Sequence, residues 1–360
     1  MRRFEFVGGT SNKYWEVSQS GTEVTVHFGR IGSDGQTQMK DYGTWDDAAE
    51  RVRKLVAEKL REGYLEVEGS GLRPDAEPGF RQPPAFPPYE VPTLPDDGPL
   101  AVGNVQLPAG RRLRGDPQYA PNGVTAIDQP VIWATSGPVD MAGRSLYWLR
   151  QDAAALNLVP VLLAALDDDP QRPWDSGEFC PTDPRRSALI DVAAELAQAW
   201  RASAEGDDED EEQILVPLRP FGKQFPGLAA RASSWADIRG DGDVLDQIRG
   251  RRVALVAGAR PADVVAVIGW MGAVNVHEDP ALLSAVLRWW EVRWYARLVE
   301  IGFDTLTLTV GSPPRDDKTA LALAAEHFAF CPDNVWQGAQ TIQAYAKALL
   351  GSRTWHFWWD

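Results

Sequence analysis

Lys13-Tyr14-Trp15-Glu16, Phe28-Gly29-Arg30-Ile31-Gly32 and Gly35-Gln36-Thr37-Gln38-Met39-Lys40 follow one another closely, and a capped segment ending at Gly63-Tyr64 completes the series. Glu23-Val24-Thr25-Val26-His27-Phe28 alternates with period two, which predicts a half-buried strand with Val24, Val26 and Phe28 on one face. Phe4 to Val7, Tyr14 to Val17 and Gln36 to Tyr42 are shorter strand candidates, separated by turn signals at Gly8-Gly9 and Ser20-Gly21. Thr44 then offers an N-cap, with Asp47 three residues on in a capping-box position. Ala48, Val52, Leu55, Val56 and Leu60 recur at helical spacing as one apolar stripe, and Gly63 is placed to stop the helix. Residues 1–70 therefore predict a four-strand antiparallel sheet with one packed helix.

This order and spacing resembles the WGR domain, named for a Trp-Gly-Arg signature. Phe28 takes the Trp position, while Gly29 and Arg30 match. In the DNA-dependent poly(ADP-ribose) polymerases the module touches DNA ends. The resemblance thus implies contact of Arg30 with backbone phosphate, with Phe28 close by. The residue chemistry agrees: a guanidinium matches a phosphate bidentately, and an aromatic offers a face to a terminal base or sugar. Gly29, Gly32 and Gly35 let backbone approach closely, and Lys13, Lys40 and Tyr42 could add phosphate contacts. An alternative stays open, in which Phe28 is core and Arg30 pairs with Asp34 or Asp41. Ten Lys and Arg stand against twelve Asp and Glu within residues 1–70, so the module is not a basic patch as a whole.

The whole chain has 360 residues and a net charge of −15, a field that opposes loose binding to nucleic acid. Any contact with DNA or RNA must then be local. Length suits two domains and a linker. Cys180 and Cys331 are the two cysteines, which fits a reducing cytoplasm. Neither a signal-peptide pattern nor a membrane-length apolar run is present, so no membrane contact is expected. No cofactor or metal site is expected, since the sequence holds no CxxC pair, HExxH or Walker A loop.

Nine prolines fall in residues 71–100, which predicts an extended Pro-rich linker over 71–105. Pro84 and Pro87 have PxxP spacing, but linker is the favoured reading. Residues 106–360 predict a mixed α/β domain, making the chain α+β overall. Leu158 to Leu163 and Val253 to Val256 read as buried strands. Leu298 to Ile301 and Leu306 to Val310 read as a hairpin, and Ser187 to Trp200, Ala281 to Trp294 and Lys318 to Phe328 as helices. The acidic block Glu205 to Glu212 reads as a solvated loop.

Several phrases in this region look like one uncharacterised bacterial family, domain-of-unknown-function family 4253. They are Pro173 to Phe179, Arg260 to Asp263, Gly269 to Asn275, Glu326 to Asp333 and Trp355 to Asp360. The likeness runs from about Leu146 to Asp360 and carries no activity. Trp290-Glu291-Val292-Arg293 stands on its Trp-Glu-x-Arg helix end, with Trp294-Tyr295 where Phe-Gly is expected.

Catalytic candidates are few. His327 and Cys331 are four apart and, with Asp333, could form a Cys-His dyad with an orienting carboxylate; the favoured reading is core packing. His277-Glu278-Asp279 could bind a metal, but more simply caps the helix after Pro280. Trp174, Asp175 and Glu178 could wall a pocket or make a tight turn. The tail Trp355 to Asp360 reads as a final strand with aromatics on both faces, and burial on both sides is favoured over an exposed docking patch.

Three functions follow. The first is a non-enzymatic adaptor that senses DNA ends or 5′-phosphates through Arg30, Phe28, Gly29, Lys13, Lys40 and Tyr42, while its acidic domain contacts a protein. The second is a protein-interaction or immunity-type protein neutralising a basic partner. The third is a hydrolase or transferase using the His327 and Cys331 region.

Overall fold

A computed structural model describes residues 2–8, 11–20, 22–30, 35–44, 47–48, 51–52, 54–55, 59, 65–67, 89–121, 123–204, 215–230 and 241–360; at 2–3, 5–8, 11–12, 19–20, 30, 65–67, 151 and 241 it describes backbone alone. The acidic block, the PxxP pair, Gly32, Asp34, Val56, Leu60 and Gly63 lie outside these residues. The chain divides into two compact units, Met1–Phe86 and Pro87–Asp360.

The first unit is an antiparallel sheet of β1 (Arg2–Gly8), β2 (Ser11–Ser20), β3 (Glu23–Arg30), β4 (Gln36–Asp41) and β5 (Leu65–Val67), ordered β4-β3-β2-β1-β5. The fifth strand joins the four that the sequence predicts. Period two sets its inner face: Phe4, Trp15, Val17 and Val24 are buried, and Val26 and Phe28 pack against them half-buried. Helical residues Ala48, Val52 and Leu55 cover that face. The cap forms as the sequence predicts: the Asp47 amide donates to Thr44 Oγ1 at 3.1 Å, and Thr44 Oγ1 donates to Asp47 Oδ2 at 2.7 Å.

The second unit is built on an eight-stranded sheet. Its strands are β6 (Gly98–Val102), β7 (Val105–Leu113), β8 (Ile132–Thr135), β9 (Leu158–Leu163), β10 (Arg252–Ala257), β11 (Ala296–Ile301), β12 (Thr305–Val310) and β13 (Thr354–Trp358). The order is β13-β12-β11-β9-β10-β8-β7-β6, antiparallel except where β11 meets β9. Because β6 belongs to this sheet, the linker expected over 71–105 gives way to ordered backbone before its predicted end. Pro99 is compatible with strand because β6 lies at the sheet's edge, where a missing N–H breaks no ladder.

The continuous apolar runs of β9 and β10 have a direct cause, since each strand packs on both faces. Leu158, Leu162, Val253 and Leu255 face α1 (Ala142–Ala154) through its buried Leu146 and Leu149. Val159, Val161, Ala254 and Val256 join the larger core on the other side. That core is closed by α2 (Val192–Ala204), α4 (Val264–Ile268), α5 (Pro280–Trp294), α6 (Asp317–Phe330) and α7 (Ile342–Leu349), while the short α3 (Asp241–Leu245) adds Leu245 to the α1 side. Trp290 sits at its centre, stacked on Phe357 at 5.3 Å and edge-on to Phe330 and Trp355.

Two elements differ from the sequence reading. The helix expected from Ser187 starts at Val192, because Asp191 caps it, accepting from the amides of Ala193 and Ala194 at 3.0 and 3.2 Å. Residues Pro184–Leu189 form a separate 3-10 turn. The C-terminal strand is buried on one face: Trp355, Phe357 and Trp359 point into the core, while His356 is exposed and Trp358 half-buried.

Candidate nucleic-acid interface

A groove of about 1180 Å³ lies on the inner face of the first unit's sheet, beside the helix. Its floor is Trp15, Val24, Val26 and Phe28. One wall is the exposed edge strand β4, where register places Gln36, Gln38 and Lys40 opposite Phe28, Val26 and Val24. Lys13 closes one end, and the helix contributes Arg51, Leu55 and Lys59. Four cations thus line the groove, and among the described residues its lining holds no carboxylate.

Of the residues the sequence singled out, Lys13, Phe28, Gly29, Lys40 and Tyr42 all border this one groove. The Lys40 ammonium lies 5.3 Å from the Tyr42 ring centre, a cation-π geometry that orders both. The Arg30 backbone ends β3 directly opposite Lys13, one like-facing step beyond the Trp15–Phe28 pair; its side chain lies outside the described residues. Phe28 packs at the core's margin and also forms groove floor.

The opposite face is locked by polar contacts. The Tyr14 hydroxyl lies 3.1 Å from His27 Nε2, and His27 Nδ1 lies 3.0 Å from Glu16 Oε2. Gly35 stands against this group at a φ of +60°, where a Cβ would come within 2.0 Å of the Tyr14 hydroxyl. Only glycine meets both demands. Asp41 accepts from the Gly43 amide at 2.7 Å, which holds its carboxyl below the ordinary range.

Arg51 and Lys59 were not singled out by sequence. The signal was present: Arg51, Leu55 and Lys59 recur at i, i+4 and i+8, so a cationic line runs along the helix with the apolar stripe.

The second unit brings together no catalytic dyad at His327, Cys331 and Asp333. The Cys331 thiol donates to the Trp358 carbonyl at 2.9 Å, and burial pushes it up to about 12. His327 is fully buried, its Nδ1 3.1 Å from the Tyr345 hydroxyl, and burial drives its pKa well below the ordinary value. Asp333 instead accepts from the Gln337 side chain and the Asp360 amide. Helical spacing put His327 and Cys331 within reach, but α6 ends at Phe330 and Cys331 leaves the helix with φ −146°. A thiol held protonated cannot act as a nucleophile.

His277 is buried in the core and donates through Nε2 to the Phe330 carbonyl at 2.8 Å, while Asp279 caps α5 through the Ala281 amide at 2.9 Å. Among the described residues no cluster of His, Cys, Asp and Glu is grouped to hold a metal ion. Glu178 binds Arg172 at 2.7 and 2.8 Å, while Asp175 is turned toward Arg111 and Arg252. Among the described residues no helix is long and apolar enough to cross a membrane.

Comparison with known proteins follows this division. Residues 1–70 match the WGR domain and residues 252–360 match a domain of unknown function, DUF4253. The chain therefore carries a WGR domain followed by a DUF4253 domain, the second match starting at residue 252 rather than near Leu146. The WGR domain is a nucleic-acid-binding module. Protein YehF of Escherichia coli (strain K12) is 36% identical over 75 residues, covering 21% of this chain and 27% of that protein. The uncharacterized protein YfeS of the same organism is 32% identical over 65 residues, 18% of this chain and 27% of that protein. The chain thus spans 27% of the length of each of these relatives. A crystal structure of a Bacteroides fragilis protein matches with 41% identity over 18% of this chain and 19% of that one, at a TM-score of 0.18.

Proposed function

We propose that the N-terminal unit binds nucleic acid through its phosphates, at DNA ends or 5′-phosphates, and that the chain is a non-enzymatic adaptor. The observation that carries this reading is the groove in which Lys13, Lys40, Arg51 and Lys59 meet with no carboxylate among the described lining residues. A balanced module can still bind phosphate when its cations gather on one face, because short-range contacts and counterion release act locally. The half-buried Phe28 and the Tyr42 ring supply faces for a base or sugar. Arg30, opposite Lys13 in the register, adds a fork suited to a phosphate.

The second unit would serve the adaptor by its acidity, since nearly all of the net charge of −15 falls after residue 70. Such a surface suits a basic protein partner and keeps nucleic acid on the first unit's groove. The reading is tested by fluorescence anisotropy of a labelled duplex with a 5′-phosphorylated end, using the full chain. Arg30→Ala and Lys13→Gln should each weaken binding by roughly tenfold, the scale of one lost charge-assisted contact. Equal affinity of wild type and both variants would remove the groove from the account.

A further inference from the structure

We infer that the second unit holds a binding site for a small phosphorylated ligand, in the groove where β7 ends. This groove, of about 650 Å³, has mostly polar walls. Three arginines from one short stretch, Arg111, Arg112 and Arg114, line it, in a unit that is otherwise strongly acidic. Asp97 and Asp175 line it too.

The arginines are not equivalent. Arg112 is consumed by its own loop: Nε donates to the Pro95 carbonyl at 2.9 Å, Nη2 to Asp96, and its amide to Asp97 at 2.9 Å. Arg111 and Arg252 instead share one acceptor. Arg111 Nη2 and Arg252 Nη1 both donate to the same oxygen of Asp175, each at 2.9 Å. Arg252 is 9% exposed at its side chain, anchored through Nε to the Thr135 carbonyl at 2.7 Å, and its Nη2 has no hydrogen-bond partner among the described residues. Arg114 lies exposed on the groove wall with no carboxylate partner among the described residues.

Two guanidiniums on one carboxylate leave a positive charge uncompensated beside a nearly buried arginine. Asp175 can neutralise only one of the two, so the arrangement favours a further anion at the exposed Arg111. Arg111 is half exposed and keeps N–H groups for the groove, and Arg114 stands three residues on. Guanidiniums arranged so match the oxygens of a phosphate group. Thr93 and Gln129 add neutral hydrogen-bonding groups. Trp174 lines the groove but is 1% exposed, with its indole N–H held by the Ala164 carbonyl at 2.7 Å, so it offers no face for stacking. The volume exceeds that of a bare anion, and the polar walls suit a sugar phosphate better than a nucleobase. The residues lining the groove all precede the stretch that matches DUF4253, and Arg252, behind Asp175, opens that stretch.

The test is a thermal-shift and isothermal-titration series on the full chain with inorganic phosphate and ribose 5-phosphate, against chloride at equal ionic strength. Binding of ribose 5-phosphate to wild type is expected, weakened roughly tenfold or more in both Arg111→Gln and Arg114→Gln. Both side chains are exposed at the groove, so the variants should keep the wild-type fold. Lys13→Gln, in the first unit's groove, is expected to leave this binding unchanged, which separates the site from nucleic-acid binding. No ribose 5-phosphate binding to wild type, equal binding by the arginine variants, or loss in Lys13→Gln instead would each overturn the inference. Binding of inorganic phosphate as tight as that of the sugar phosphate would refute the sugar-phosphate assignment.

Discussion

Glu326 gives the second unit a pH dependence of stability that a single substitution should remove. The residue is fully buried in α6, one oxygen accepting from the Ala229 amide and the other from the Trp290 indole at 2.8 Å. Desolvation outweighs these two donors and the nearby Arg293, and raises its pKa from 4.5 to about 7. A folded pKa above the unfolded one means that the folded state holds the proton more tightly. The resulting stability is fully present below pH 4.5 and is lost as pH rises through about 7. At about 1.4 kcal/mol per pH unit the interval amounts to about 3 kcal/mol.

Two neighbours act in the opposite sense. Burial depresses His277 and His327, so each stabilises the fold above its unfolded pKa of 6.5 and loses that contribution as pH falls. The raw stability curve of wild type therefore mixes both slopes, and the informative quantity is a difference. Glu326→Gln stands in for the protonated carboxyl and does not titrate. Between pH 5 and pH 8 this variant should gain on wild type by about 3 kcal/mol in urea unfolding, followed by tryptophan fluorescence. Parallel pH profiles for the two proteins would refute the placement of a titrating carboxyl in this core.

Three further outcomes follow from particular contacts. Cys331, buried and with its thiol held up at about 12, should resist thiol labelling in the folded chain and react only on unfolding; rapid labelling in buffer would contradict the placement. Gly269 ends α4 at φ +69°, and a Cβ there would fall 1.4 Å from the Cys180 carbonyl, so Gly269→Ala should destabilise by about 3 kcal/mol or more in urea unfolding. Thr44→Ala should lower the stability of the first unit by about 1 kcal/mol, measured on that unit's own unfolding transition.

Much of the first unit was legible because its signals are local. The alternation of Val24, Val26 and Phe28 and the Thr44–Asp47 box each act within a few residues. What was missed there follows from the same locality. The helix was read for its apolar stripe, so Arg51 and Lys59 on the neighbouring line passed unnoticed. The strand Leu65–Val67 is too short to show a period. In the second unit, strong runs such as Leu158 to Leu163 and the hairpin around Phe303 were visible, since both faces of that sheet are packed. Strand β6 was hidden inside a proline-rich composition that an edge strand tolerates. The Arg111–Asp175–Arg252 group joins residues 64 and 77 apart in sequence, a separation across which no spacing rule operates. His327 and Cys331 show the reverse failure, where helical spacing suggested a pair but the thiol bonds to the Trp358 carbonyl and the imidazole to the Tyr345 hydroxyl.

The central claim is that a local cationic groove in the first unit engages nucleic-acid phosphate despite the acidic chain. The most direct measurement is the salt dependence of full-chain binding to a 5′-phosphorylated duplex end, by anisotropy across a range of sodium chloride. Lys13, Lys40, Arg51 and Lys59 line the groove, and neutralising three or four phosphates predicts a slope of log K against log salt of about −3 to −4. That slope should become shallower by about one in Lys13→Gln. Absence of binding at low salt, or a slope near zero that Lys13→Gln leaves unchanged, would contradict the account.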